Sequence, residues 1–319
     1  MRLLLWYWAG LFGLALLSIW SIFVGVIDLT VRDLLADPEA LGLLGISRFP
    51  RTAAAIIAGA TLAVSGSVLQ MLVRNRFVEP MTTGTGQGAA LGILAVTILM
   101  PQASIFIKMM LASLTALAAS LGFLAIVRRL PPTQPLLVPL VGLIYGGIIG
   151  AAVIFVAYQA DLLQFISVWL NGEFSGVLRG RYELLWLAAC GAVLTYFAAD
   201  QFAIVGMGQT ITTSLGLNYK QVVLIGLIAI SFISALTVTT VGIIPFVGLV
   251  VPNIISRLFG DNLRRTLPLI ALLGAGMTLL SDIAGRLIRY PFEIPVGTVL
   301  GIAGALVFLW LLYRKPHYA

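Results

Sequence analysis

Charge is scarce in this chain. Asp, Glu, Lys and Arg make up 10% of its 319 residues, where a soluble domain carries roughly a quarter. There is one cysteine, Cys190, inside an apolar run, so no intrachain disulfide can form. The one histidine is His317. A His/Cys metal site is therefore excluded, and so is histidine acid–base chemistry within a membrane. No Gly-Lys-Ser/Thr occurs anywhere, so the chain has no phosphate loop of its own. The acids are few and lie mostly between apolar runs. No relay of Asp, Glu and His crosses the hydrophobic segments, which weakens a proton-coupled carrier, and no two acids share a depth suited to an intramembrane hydrolase.

Apolar length is what the chain has instead. It is 60% hydrophobic, with a mean hydropathy of +1.07. Runs of roughly 20 residues, enough to cross about 30 Å of hydrocarbon, recur throughout. An all-α integral membrane protein forming a single domain over 1–319 is expected. Ten spans are predicted, at about 4–27, 52–73, 86–100, 108–127, 136–158, 183–199, 221–240, 243–259, 267–288 and 294–313. The 243–259 run is interrupted by Pro245 and Pro252 and needs support from neighbours. The run Leu3–Ile27 is too long for a signal sequence and lacks a small-residue cleavage site, so it reads as a retained span. With both termini inside, eleven of the nineteen basic residues are cytoplasmic, among them Arg74, Arg76, Lys220, Arg257, Arg264 and Arg265. Glu79, Asp200 and Asp261 are then the cytoplasmic acids. On the outside, Thr30 with Asp33 has capping-box spacing. "DLLQFISVWLNG" predicts a helix lying on the membrane surface, its aromatics at headgroup level.

The stretch "TTGTGQGAALG" at 82–92 has the glycine density of a nucleotide loop, but its context excludes that role. A dinucleotide loop follows a strand and has an acid about 20 residues on; here a basic turn precedes it and the next acid is Asp161. Glycines in a membrane chain allow close backbone approach. The stretch therefore marks a constriction or a tight helix contact near the cytoplasmic mouth, plain packing being the simpler of the two. Gly142, Gly146 and Gly150 on one run, and Gly297 and Gly301 on the last, have the same small-residue spacing.

Three further groups carry chemistry. Asp282 and Arg286 stand at i and i+4, acid first, and read as a structural ion pair; the alternative is Arg286 as an outward docking charge. "FAIVGMGQTITTSLGLNYKQV" joins two spans, and its Gly208 and Gly216 bracket Gln209, Thr210, Thr212, Thr213, Ser214 and Leu215. That pattern suits a short helix with a glycine stop, either a force-transmitting contact for a soluble partner or an ordinary connection. Arg48 and Arg51 in "SRFPRT", with Arg286 and Arg289 in "GRLIRYPFEIPVG", present planar forks suited to a partner's carboxylates or to local acids such as Asp282 and Glu293.

Seven stretches in order, "RFPRTAAAIIAGATLAVSGSVLQ", "RNRFVEP", "WLNGEFSGV", "SLGLNYKQV", "FVGLVVPNIISRLFG", "LLSDIAGR" and "EIPVGTVLGIAGALVFLWLL", resemble the permease family of ABC importers for iron–siderophore, haem and vitamin B12. The resemblance covers about residues 48–314. It implies the type II importer permease fold of the vitamin B12 permease, with ten helices per subunit. The implied partners are a second permease subunit, two ATPases carrying ATP and magnesium, and a periplasmic or lipid-anchored binding protein that delivers an iron chelate; no nucleic acid is implied. This chain would not itself be an enzyme. On the same resemblance, Gly208–Gly216 is the coupling helix that sits in a cleft of the ATPase. Arg48, Arg51 and Arg286 would meet glutamates of the binding protein, and Thr85, Gly86, Gln87 and Gly88 would fall at the inner gate. The turn "RNRFVEPMTTGTGQGAALG" departs from the family's commoner Arg-Asn-Pro and Leu-Gly pattern. It looks like the branch serving ferric catecholate and related siderophores.

Overall fold

The computed structural model describes residues 2–25, 32–33, 38–127, 129 and 137–313. The proposed Thr30 cap lies outside them. The described residues are almost wholly helical: α1 Arg2–Phe23, α2 Pro38–Leu43, α3 Phe49–Val73, α4 Thr85–Leu99, α5 Ile105–Val127, α6 Leu137–Gln159, α7 Leu163–Leu170, α8 Leu184–Phe197, α9 Ala199–Gly206, α10 Gln209–Ser214, α11 Tyr219–Val241, α12 Val247–Phe259, α13 Leu263–Ile288 and α14 Val296–Tyr313. A π turn, Leu44–Arg48, fuses α2 to α3, and a 3-10 turn, Pro80–Thr83, precedes α4. Among the described residues, six helical segments are long and apolar enough to cross a membrane. A seventh is the pair α8–α9, bent by 63°; three shorter apolar helices, α4, α12 and α14, complete the ten expected segments.

The bundle is organised around α3, of whose apolar window 72% is buried. Its sequence explains why. Ala54, Ala55, Ala58, Gly59, Ala63, Ser65 and Gly66 are small, and small residues let helix backbones close up where lipid gives no hydrophobic drive to association. A Cβ on Gly59 would stand 2.3 Å from the Gly274 carbonyl of α13, and one on Gly66 would stand 2.0 Å from the Gly248 carbonyl of α12. These are backbone-to-backbone crossings. Hydroxyls tie a second seam around α11: Ser120 to Ser231 at 2.9 Å, Ser113 to Thr239 at 2.8 Å and Thr61 to Thr237 at 3.2 Å. By contrast α1 presents Trp6, Trp8, Phe12 and Trp20 outward, as a lipid-facing helix does.

Three expectations change. The segment after α8 does not unwind at residue 199. It bends at Ala198 and continues as α9, whose Phe202 and Val205 are buried in the core. Helix α7 lies against the bundle along one side and exposes Leu163, Gln164, Ser167 and Val168 on the other. Ile166 is 3% exposed, and Phe165 and Trp169 pack with it against the bundle, so neighbouring helices rather than headgroups cover the apolar side. The 243–259 run is helical only from Val247. Gly242 takes φ +76° and Phe246 φ +68°, leaving an extended link in which Asn171 and Ile243 form an isolated bridge.

Candidate functional site: a basic face, an arginine cluster and a glycine-lined turn

Arg74, Arg76, Lys220, Arg257, Arg264 and Arg265 all lie beside helix ends or turns that share one end of the bundle, here the basic end. The 208–216 segment sits there. Gly208 at φ +112° and Gly216 at φ +78° bracket α10, conformations that L side chains rarely adopt. Thr212 is fully buried and its hydroxyl donates to the carbonyls of Gly208 at 2.7 Å and Ile204 at 3.2 Å, pinning the helix to the end of α9. Gln209, Thr210, Thr213 and Ser214 are exposed. So are Met207, Ile211 and Leu215, at 52%, 44% and 58%. Ile211 and Leu215, four apart, form an apolar edge of α10 pointing away from the bundle, with Met207 exposed just before the helix. Beside it opens a recess of about 730 Å³ lined by Arg74, Arg76, Asp200, Gly206, Asp261 and Arg264, among others. Arg76 pairs with Asp261 at 2.7 Å, and Arg264 with Asp200.

At the opposite end, arginines and acids from distant parts of the chain converge. Asp282 has a fully buried side chain that takes Arg286 at 2.7 Å and Arg51 at 2.8 Å; Arg51 also reaches Glu293 at 2.9 Å. Arg286 donates as well to the Ser21 carbonyl at 2.9 Å, the Ser21 hydroxyl at 2.8 Å and the Val24 carbonyl, stitching α13 to the end of α1. Arg48 is 8% exposed and also donates to the Val24 carbonyl. Of the two readings of these side chains, direct pairing within the chain is what Arg48, Arg51 and Arg286 have. Arg289 differs: it is exposed, its guanidinium 5.7 Å from the Phe292 ring.

The glycine stretch turns out to be a set of close contacts. Gly84, at φ +77°, faces Tyr145, a Cβ on Gly86 would stand 2.5 Å from Ile243, and one on Gly88 would stand 2.5 Å from Ala119 and 3.0 Å from the Thr115 carbonyl. Gln87 lies against Gly146 and Gly150, so the ladder on α6 makes room for its side chain. Thr85 is fully buried and donates to the Pro80 carbonyl at 3.3 Å. Glu79, counted from sequence among the cytoplasmic acids, is buried at the basic end. It is 6% exposed, and the Phe246 amide donates to it at 3.4 Å. Among the described residues no three His, Cys, Asp or Glu side chains gather to hold a metal.

This geometry belongs to a known group of membrane proteins. The FecCD transport family model matches residues 13–314. The petrobactin import system permease protein YclN of Bacillus subtilis is 44% identical over 96% of this chain and 97% of its own length. The ferric-anguibactin transport system permease protein FatD of Vibrio anguillarum is 42% identical, covering 84% and 85%. The fold is similar to that of a solved metal-chelate type ABC transporter in an inward-facing conformation, with a TM-score of 0.84 at 25% identity, over 97% of this chain and 99% of that one. The chain therefore belongs to the FecCD transport family, and is a multi-span membrane permease subunit rather than an enzyme.

Proposed function

We propose that this permease forms the pathway of an ATP-driven importer that carries an iron–siderophore chelate, of the catecholate or a related class, across the cytoplasmic membrane. The observation that carries the power source is the exposed Ile211–Leu215 edge, with Met207 beside it, on a short helix that Thr212 locks to the bundle. An apolar face held rigidly at the basic end suits insertion into a soluble partner. That partner is an ATPase supplying ATP and magnesium, since this chain has no phosphate loop. The basic end is then cytoplasmic, in keeping with the excess of Lys and Arg on that side. The petrobactin and anguibactin permeases named above support the cargo class.

The assembly holds two permeases, either two copies of this chain or this chain with a related one, and two ATPases. A binding protein, periplasmic or lipid-anchored, delivers the chelate at the opposite end. There Arg289 stands at the surface as a direct docking charge, with Arg48, Arg51 and Arg286 behind it. Closure of the ATPase pair draws the two α10 helices together, and the bundles tilt so that the pathway faces one side at a time. Thr85, Gly86, Gln87 and Gly88 sit at the inner gate of that pathway. A large chelate needs shape rather than strong polar ligands, which fits the scarcity of ionisable groups within the spans.

The test is reconstitution of the permease with its ATPase and binding protein in vesicles, followed by uptake of labelled ferric catecholate with haem and cobalamin as competitors. ATP-dependent uptake is expected, and Ile211→Asp or Leu215→Asp should abolish both co-purification of the ATPase and uptake. Uphill chelate transport by vesicles holding this polypeptide alone would overturn the proposal.

A further inference from the structure

The turn at 75–84 and the link at 242–246 are non-helical backbone within the bundle, and one carboxylate joins them. Their depth follows from α3. Gly66, which meets the Gly248 backbone, lies seven residues before Val73, hence roughly 10 Å in from the end of the helix at 1.5 Å per residue. A Cβ on Gly248 would stand 3.5 Å from the Glu79 Cβ and 3.0 Å from Pro80, so Glu79 lies at that depth. An acid there is costly unless donors compensate it. The donor comes from the start of α12: the Phe246 amide bonds the carboxylate at 3.4 Å. The first amides of a helix have no partner within the helix and carry its positive end.

The surroundings show that this junction is held under constraint. Phe246 has left-handed backbone at φ +68°, which a bulky residue adopts only when contacts enforce it. Its ring lies 6.4 Å from Phe308 of α14, and Phe77 of the turn lies 6.1 Å from the same Phe308. Three rings thus link the turn, the half-helix and the last helix. At the shallow end the Asn253 amide donates to the Arg76 carbonyl at 3.0 Å. That second tie keeps α12 attached to the turn without Glu79. The gate residues Thr85–Gly88 begin directly after the turn, with Gly86 against Ile243 of the link.

We propose that Glu79 is the positioning residue of the mouth at the basic end, its carboxylate clamping the 75–84 turn to the N-terminal end of α12 and so fixing where the Thr85–Gly88 stretch sits. The proposal rests on the importer reading given above. Glu79→Gln keeps the shape and removes the charge, whereas Glu79→Asp keeps the charge on a shorter arm. A charge-assisted bond lost from this junction changes the ratio of its joined to its parted state by on the order of 10- to 100-fold.

Two measurements decide it. In the purified full chain, amide hydrogen exchange at Phe246 to Leu249 should speed up about 10-fold or more in Glu79→Gln and less in Glu79→Asp; unchanged exchange in Glu79→Gln overturns the clamp. In the reconstituted complex, chelate imported per ATP hydrolysed should fall about 10-fold in Glu79→Gln, with assembly retained and partial rescue by Glu79→Asp. Normal stoichiometry in Glu79→Gln overturns the positioning role. Failure of the wild-type complex to import chelate would strike the importer reading instead, and leaves the exchange measurement decisive for the clamp.

Discussion

Replacing Asp282 by Asn separates a buried charge network from an ordinary surface pair. The change preserves side-chain volume and one acceptor, but it removes the only carboxylate that Arg51 and Arg286 share. Asp282 is fully buried, Arg286 is 2% and Arg51 12% exposed, so little water can substitute. After the change, Arg51 retains Glu293, whose side chain is 29% exposed, and Arg286 is left with neutral acceptors such as those of Ser21 and Val24. Removing one partner of a buried pair costs about 3–5 kcal/mol, because the remaining charge stays desolvated. At about 2–4 °C per kcal/mol for a chain of this size class, the midpoint of thermal unfolding in detergent should drop by roughly 6–20 °C. The matched control is Arg76→Gln. It breaks a pair of similar length, 2.7 Å, whose side chains are each 56% exposed, and it should cost about 1 kcal/mol or less. If Asp282→Asn shifted the midpoint no more than Arg76→Gln, the cluster would not be a structural lock and its arginines would have to be stabilised by something else.

Gly59→Leu should abolish accumulation of folded protein, because its Cβ alone would stand 2.3 Å from a backbone carbonyl of α13; a normal yield of monodisperse protein would refute the backbone-to-backbone contact. Ser120→Ala removes one hydroxyl from the pair with Ser231 and should cost only about 0.5–1 kcal/mol, in line with interhelical hydrogen bonds in membranes. A loss above about 2 kcal/mol in the same thermal assay would mean that the α11 seam is cooperative.

Much of the architecture can be read from the chain, because hydrophobic length and small-residue spacing act locally. The alanine- and glycine-rich 52–73 run announces a helix made for close contact, and Gly208 and Gly216 frame α10 through a requirement of backbone torsion. The rest depends on pairings over long separations. Arg51 and Asp282 are 231 residues apart, and nothing near either residue shows that one acid serves two arginines. The bend at Ala198 has no proline or glycine to announce it; it arises because α9 packs Phe202 and Val205 into the core. The burial of Glu79 is not announced by its neighbours, since Arg74 and Arg76 precede it in a charged turn. A signal was nevertheless present. Helix α4 has 15 residues, about 22 Å at 1.5 Å each, too short to cross 30 Å of hydrocarbon. The turn before it therefore had to climb into the bundle and take its acid along.

Where Gly59 meets Gly274 and Gly66 meets Gly248, main chain rests directly on main chain, with no side chains between to swap rotamers or slide. Helices α3, α12 and α13 are consequently forced to travel as a single rigid block. Whatever reshaping accompanies a transport cycle has to be absorbed outside that block, at contacts such as the Ser120–Ser231 and Ser113–Thr239 hydroxyl pairs, which can part and re-form.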